Sequence, residues 1–153
     1  MAIEPLIDLT SIDLSQIAIS AEDVGKLNPQ AGDMRQLDYV AFLNEDNTIA
    51  VGVKEVKDDE FWVHGHIPDR PLYPGVLMIE AAAQISSALY HTKNKGNHFM
   101  GFTRCDNCSF RGQVVPGDTL ALVTMEKKFQ RRRFVCEAQG FVDGKFIFEV
   151  QIT

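Results

Sequence analysis

From residue 75 to about residue 90 the chain is a proline-free run dominated by Ala, Leu, Met and Ile. These residues favour a helix. The helix is apolar on nearly every face, so nearly every face has to be covered. What remains to cover it reads almost entirely as strand. Runs at 37–43 and 48–56 flank the turn-forming Asn44-Glu45-Asp46-Asn47, and a shorter strand is expected at 60–64 after Lys57-Asp58-Asp59. Four more runs follow the helix, at 99–110, 119–129, 132–141 and 145–152. Val115-Pro116-Gly117-Asp118 turns one corner, and Asp143-Gly144 is a strong two-residue hairpin signal.

One buried helix with only strands to wrap it predicts an α+β fold of the hotdog kind: a long helix inside a curved antiparallel sheet. The 153 residues suit a single domain over 1–153. Residues 1–36 read as a polar, irregular lead-in, in which Ser20-x-x-Asp23 caps a short helix ending near Leu27, before Asn28-Pro29. Glu80 and Gln84 interrupt the longest apolar stretch, which falls short of the ~20 residues of a membrane span. The start, Met1-Ala2-Ile3-Glu4-Pro5, is acidic and lacks the basic-then-apolar pattern of an export signal. A cytoplasmic location and no membrane partner are expected.

Cys105, Cys108 and Cys136 are an odd set and do not suggest a disulfide framework. Cys105-x-x-Cys108 falls on a strand, where residues three apart point to opposite faces, and no second pair completes a zinc site. His64 and His66 share a spacing suited to metal, but no third ligand is evident. No metal and no cofactor are expected.

The net charge of −6 is unevenly spread. Residues 1–60 hold 13 acidic and 4 basic side chains, whereas residues 61–153 hold 8 acidic and 11 basic ones. Lys127, Lys128, Arg131, Arg132 and Arg133 concentrate the basic excess. This cluster is either a solvated hairpin end or a docking patch for an acidic partner. Nucleic acid is not expected, because the chain is acidic and has no aromatic-basic binding motif.

Within the helix, Glu80 is a lone carboxylate among apolar neighbours. A buried carboxylate has to pair or take up a proton, and in the second form it is a proton donor. Gln84, one turn on, can hydrogen-bond to it. The alternative is that Glu80 faces solvent on a polar stripe with Gln84 and Ser87. His66, at the entry to a loop stiffened by Pro68, Pro71 and Pro74, is either a base or a structural histidine. Pro74-Gly75 sets free N–H groups and the positive helix end at that loop, where a carbonyl gaining negative charge could sit. Together these parts suit removal of water from a 3-hydroxyacyl thioester. His66 would take the proton beside the carbonyl, Gly75 N–H would hold the enolate-like oxygen, and Glu80 would protonate the departing hydroxyl.

Trp62-Val63-His64-Gly65-His66-Ile67-Pro68-Asp69-Arg70-Pro71-Leu72-Tyr73-Pro74-Gly75-Val76-Leu77-Met78-Ile79-Glu80-Ala81-Ala82-Ala83-Gln84 closely resembles the signature of the (3R)-hydroxyacyl-acyl-carrier-protein dehydratases of FabZ type. Cys105–Arg111 with Val114–Asp118, and Phe141–Lys145, resemble later parts of that pattern, so the likeness spans about 37–153. The resemblance implies that His66 and Glu80 are the catalytic pair, with Gln84 in support and the Gly75 amide on the thioester carbonyl. It implies a homodimer with His66 of one chain facing Glu80 of the other, and a trimer of dimers is common in the family. It implies an acyl carrier protein partner that presents the acyl chain on phosphopantetheine, and Arg131, Arg132 and Arg133 suit that acidic protein. Ile67, Tyr73 and Pro74 are expected in the loop or tunnel lining. The sequence departs from the family at Leu27-Asn28-Pro29-Gln30-Ala31, which lacks the usual His and Arg, and at Ile67, where Phe is usual. These departures bear on acyl length, gating and carrier preference. Two other functions fit the same fold: an acyl thioesterase, which needs no His66–Glu80 pair, and a non-catalytic acyl-binding or assembly protein.

Overall fold

The computed structural model describes residues 3–95, 98–130 and 132–153. Six strands form one antiparallel sheet: β1 (Tyr39–Leu43), β2 (Ile49–Glu55), β3 (Cys105–Phe110), β4 (Thr119–Gln130), β5 (Arg133–Val142) and β6 (Lys145–Ile152). Their order across the sheet is β1-β2-β4-β5-β6-β3. A short helix, α1 (Ala21–Leu27), precedes the sheet, and the long helix, α2 (Gly75–Lys93), lies between β2 and β3 in the chain. The fold is the expected hotdog, with α2 in the hollow of the sheet.

Leu77, Ala81, Ala82, Ile85, Ala88 and Leu89 of α2 are buried in one core with Leu120, Leu122, Ile147, Phe148 and Val150. Pairing registers break within β1, β3, β4 and β5 or against their partners. Such bulges sharpen the local twist and curl a sheet. The Asp143-Gly144 turn has positive φ at both residues, 49° and 73°, which is the geometry that suits a tight hairpin. Ser20 caps α1 as its spacing foretells, its hydroxyl accepting from Asp23 N–H.

Three expectations are corrected. Residues 60–64 form turns rather than a strand, because their backbone bonds locally: Val63 N–H to Glu60 C=O, and both Gly65 and His66 N–H to Trp62 C=O. The run at 99–110 becomes a strand only at Cys105, and before it only Thr103 and Arg104 pair with Thr153. Within β3 the register shifts between Asp106 and Ser109, with Asn107 at φ 50°. The bulge breaks the simple alternation of faces, and burial, with the nearby Cys105 thiol, pushes the Cys108 thiol up.

The lead-in is also less irregular than its composition suggests. Leu6, Ile7, Leu9, Ile12 and Leu14 pack on the outer face of the sheet against Val51, Ala121, Val123 and Phe141. Gln139 ties this strap down, accepting from Leu6 N–H at 2.8 Å and donating to Glu4 C=O at 3.2 Å.

Candidate active site

His66 ends a set of tight turns and is held by main-chain atoms on both sides. Its N–H donates to Trp62 C=O at 2.8 Å, and its C=O accepts from Leu72 N–H at 2.9 Å. The ring Nδ1 lies 2.8 Å from Leu72 C=O. A carbonyl oxygen only accepts, so Nδ1 carries the hydrogen and Nε2 is the basic nitrogen. The ring is exposed, with Nε2 free to meet a substrate.

Glu80 is half-buried on α2, and Gln84 is 1% exposed one turn further on. Gln84 Oε1 accepts from Gln36 N–H at 2.8 Å. Gln84 Nε2 donates to Met34 C=O at 2.7 Å and to Glu80 Oε1 at 2.8 Å. One backbone donor and one backbone acceptor thus fix which way the amide points, and the face toward Glu80 is a donor. Among the described residues nothing takes Glu80 Oε2. The stripe in which Glu80, Gln84 and Ser87 all face solvent is not what forms, since Gln84 is inside. Gln36 and Met34 lie about fifty residues before Gln84 in the lead-in segment, and nothing in their local sequence marks them as its partners.

Gly75 is the first residue of α2, behind Pro74 at φ −60° and ψ 134°. Pro74 C=O accepts from Leu77 and Met78 N–H. The Gly75 N–H has no partner among the described residues. A Cβ here would stand 3.0 Å from Phe110 Cζ, so this close approach of backbone to ring favours glycine, and a larger residue would require the ring to shift. Tyr73, expected in the loop or tunnel lining, is buried in the core, its hydroxyl donating to Gln36 Oε1 at 2.8 Å. Burial pushes that hydroxyl far up, with Glu60, Asp38 and Glu80 adding to the effect, so it stays protonated. Ile67 is exposed beside His66.

Glu80 lines a cavity of about 180 Å³, with Ala83, Ser87, Tyr90, Met100 and Phe134 among its neighbours. Among the described residues it is the one acidic side chain in that lining, and His66 is not part of it. The structure therefore brings together Glu80, Gln84 and the cavity, and separately His66 and its loop. Arg132 and Arg133 form an exposed hairpin end between β4 and β5, and they border a larger open cleft that shares Tyr90, Phe99 and Phe134 with the Glu80 cavity. Arg131 lies outside the described residues. No described helix is long and apolar enough to cross a membrane.

The 3-hydroxyacyl-[acyl-carrier-protein] dehydratase FabZ of Agrobacterium fabrum is 35% identical over 131 residues, 85% of this chain and 84% of that one. The enzyme of the same name from Halalkalibacterium halodurans is 34% identical over 139 residues, 88% of this chain and 96% of that one. Among solved structures, the dehydratase heterocomplex ApeI:P from Xenorhabdus doucetiae matches with a TM-score of 0.70 at 15% identity, over 84% of this chain and 87% of that one. The PaaI protein of E. coli matches with a TM-score of 0.59 at 14% identity, over 74% of this chain and 78% of that one. These two likenesses speak to the fold. The model of the FabA-like domain matches residues 28–151, which include His66, Gly75, Glu80 and Gln84, and the chain belongs to that family.

Proposed function

We propose that the protein removes water from (3R)-hydroxyacyl thioesters carried on acyl carrier protein, giving trans-2-enoyl thioesters for fatty acid or related acyl synthesis. The observation that carries this reading is Glu80: one oxygen accepts from the fixed Gln84 amide, and the side chain lines a mostly apolar cavity.

His66 Nε2 takes the proton from the carbon beside the thioester carbonyl. The Gly75 N–H, at the positive end of α2, holds the oxygen as it becomes enolate-like. Glu80 Oε2 gives its proton to the hydroxyl on the next carbon, which departs as water as the double bond forms. Leu72 C=O stabilises the imidazolium through Nδ1–H, and Gln84 keeps Oε1 occupied so that the proton resides on the oxygen facing substrate.

The acid and base come from two chains of a homodimer in this reading. Two features support it. The α2 face carrying Val76 (73% exposed), Ile79, Glu80 and Ala83 is only partly covered within one chain, and those positions fall at i, i+3, i+4 and i+7. The edge strand β3 also offers unpaired main-chain groups. A trimer of dimers would build on the same contact. Carrier protein would dock at Arg132 and Arg133, along with Arg131.

The test is hydration of a crotonyl thioester, the reverse reaction. His66→Ala and Glu80→Ala should each slow it by about 10²-fold or more, in line with loss of a positioned acid or base. Refolding the two variants together should restore about a quarter of wild-type activity, since half the dimers are mixed and each has one intact shared site. Single variants with wild-type rates would end the assignment, and absence of complementation would end the two-chain site.

A further inference from the structure

The reaction proposed above leaves one buried ion pair without a task. Lys54, on β2, is 5% exposed. Its Nζ lies 3.0 Å from Glu60 Oε1, and both side chains are largely out of solvent. Glu60 Oε1 also accepts from Lys57 N–H at 2.9 Å, and Oε2 accepts from Trp62 Nε1–H at 3.0 Å. Each carboxylate oxygen therefore holds a different part of the turn, and the ammonium ties the whole group to the central sheet.

Such a pair is a poor way to gain stability, because well-packed apolar residues of similar volume commonly do as well or better. It does supply directed bonds, which apolar residues do not. Those bonds end on Trp62, which is 4% exposed and packs edge-on to Tyr73 at 5.5 Å between ring centres. The Trp62 carbonyl then receives the His66 N–H at 2.8 Å. The chain of contacts from Lys54 to Glu60, to Trp62 and to His66 is continuous. Only its last member is exposed to a substrate.

We propose that Lys54 and Glu60 are positioning residues for the His66 base: the buried pair fixes Trp62, and Trp62 sets the place of His66. This rests on His66 being the base, and the test separates the two claims. The double variant Lys54→Met/Glu60→Leu replaces the pair with apolar groups of similar size. Trp62→Phe removes only the indole N–H and part of the ring, leaving the carbonyl. Each folded variant is measured for thermal midpoint, and for kcat and KM on a 3-hydroxyacyl carrier substrate. The expected result is a kcat at least about tenfold lower for the double variant and several-fold lower for Trp62→Phe, with KM within about twofold of wild type, as for an interaction that acts in the transition state. In the double variant this should hold even where the midpoint returns to the wild-type value. Lys54→Arg, which keeps the charge pair, should recover most of kcat. A wild-type kcat in either folded variant overturns the positioning role. Should His66→Ala itself keep full activity, the fault lies with the assignment of the base.

Discussion

The Gly75 amide is the part of the site whose contribution can be isolated most cleanly. Alanine and proline at this position add the same Cβ, and the ideal Cβ meets Phe110 Cζ at 3.0 Å and Cε1 at 3.1 Å. Phe110 is 47% exposed at the end of an edge strand, so its ring can move outward by the few tenths of an ångström required. The steric part should slow the reaction about tenfold or less, a barrier raised by at most roughly 1.4 kcal/mol. Proline alone also deletes the N–H. It fits the first helical position, where its fixed φ is already helical and no intrahelical bond is lost. Residue 74 would then precede a proline and has to be extended, and Pro74 already is, at ψ 134°. Removing one oxyanion donor typically costs about 10²–10³ in kcat. Gly75→Pro should therefore be about 10²-fold slower than Gly75→Ala in hydration of an enoyl thioester, followed by loss of its conjugated absorbance. Far-ultraviolet circular dichroism of the two variants should be the same. A folded proline variant within threefold of the alanine variant would remove the Gly75 N–H from the mechanism.

Two further outcomes follow from the geometry. Gln84→Leu strands the buried Gln36 N–H, worth about 1–3 kcal/mol when left unpaired, while the Met34 C=O, on an exposed residue, can turn to water. At ~2–4 °C per kcal/mol for a domain of this size, the thermal midpoint should fall by roughly 2–12 °C, and a fall under 2 °C would contradict the network. Replacing Arg132 and Arg133 by Glu should raise KM about tenfold for a carrier-bound substrate and leave it unchanged for a short pantetheine thioester. The difference should fade in high salt if docking is electrostatic, and equal effects on both substrates would argue against a carrier surface.

Much of this molecule can be read from its residues, for identifiable physical reasons. The burial of α2 follows from a stripe too wide for any face to remain wet, and the Asp143-Gly144 hairpin from a backbone conformation few other pairs adopt. The strap at residues 6–14 is hidden by its short, irregular apolar spacing. Its trace lies instead in the strands it covers, since Ala50, Val51, Gly52 and Val53 are all buried and a strand with one wet face would alternate. The turn at 60–64 reads as strand because Phe61, Trp62 and Val63 have β propensity. What decides its shape is Glu60, bonded to Lys54, Lys57 and Trp62, and those partners are not apparent from local sequence. Asn107 hides the β3 bulge in the same way: one residue in a left-handed conformation defeats a face assignment based on strict alternation.

The same contrast holds within the site. The types His66, Glu80 and Gly75 are written in the chain, but their chemical states are set by main-chain atoms elsewhere. Leu72 C=O decides which imidazole nitrogen is basic. Gln36 N–H and Met34 C=O decide that Gln84 meets Glu80 as a donor. Substitution by any residue but proline leaves the carbonyls and amides of the backbone in place, so these states persist through changes in side chains as long as the segment stays where it is. In the proposed mechanism the short span around residues 34–36 orients Gln84, about fifty positions later, and through it the acid Glu80. Its 3₁₀ turn at Gly32–Met34 sets where the Met34 carbonyl points, and Gly32 reaches the required positive φ of 56° at no steric cost. Disturbing that turn would act on Glu80 through Gln84 without touching either residue.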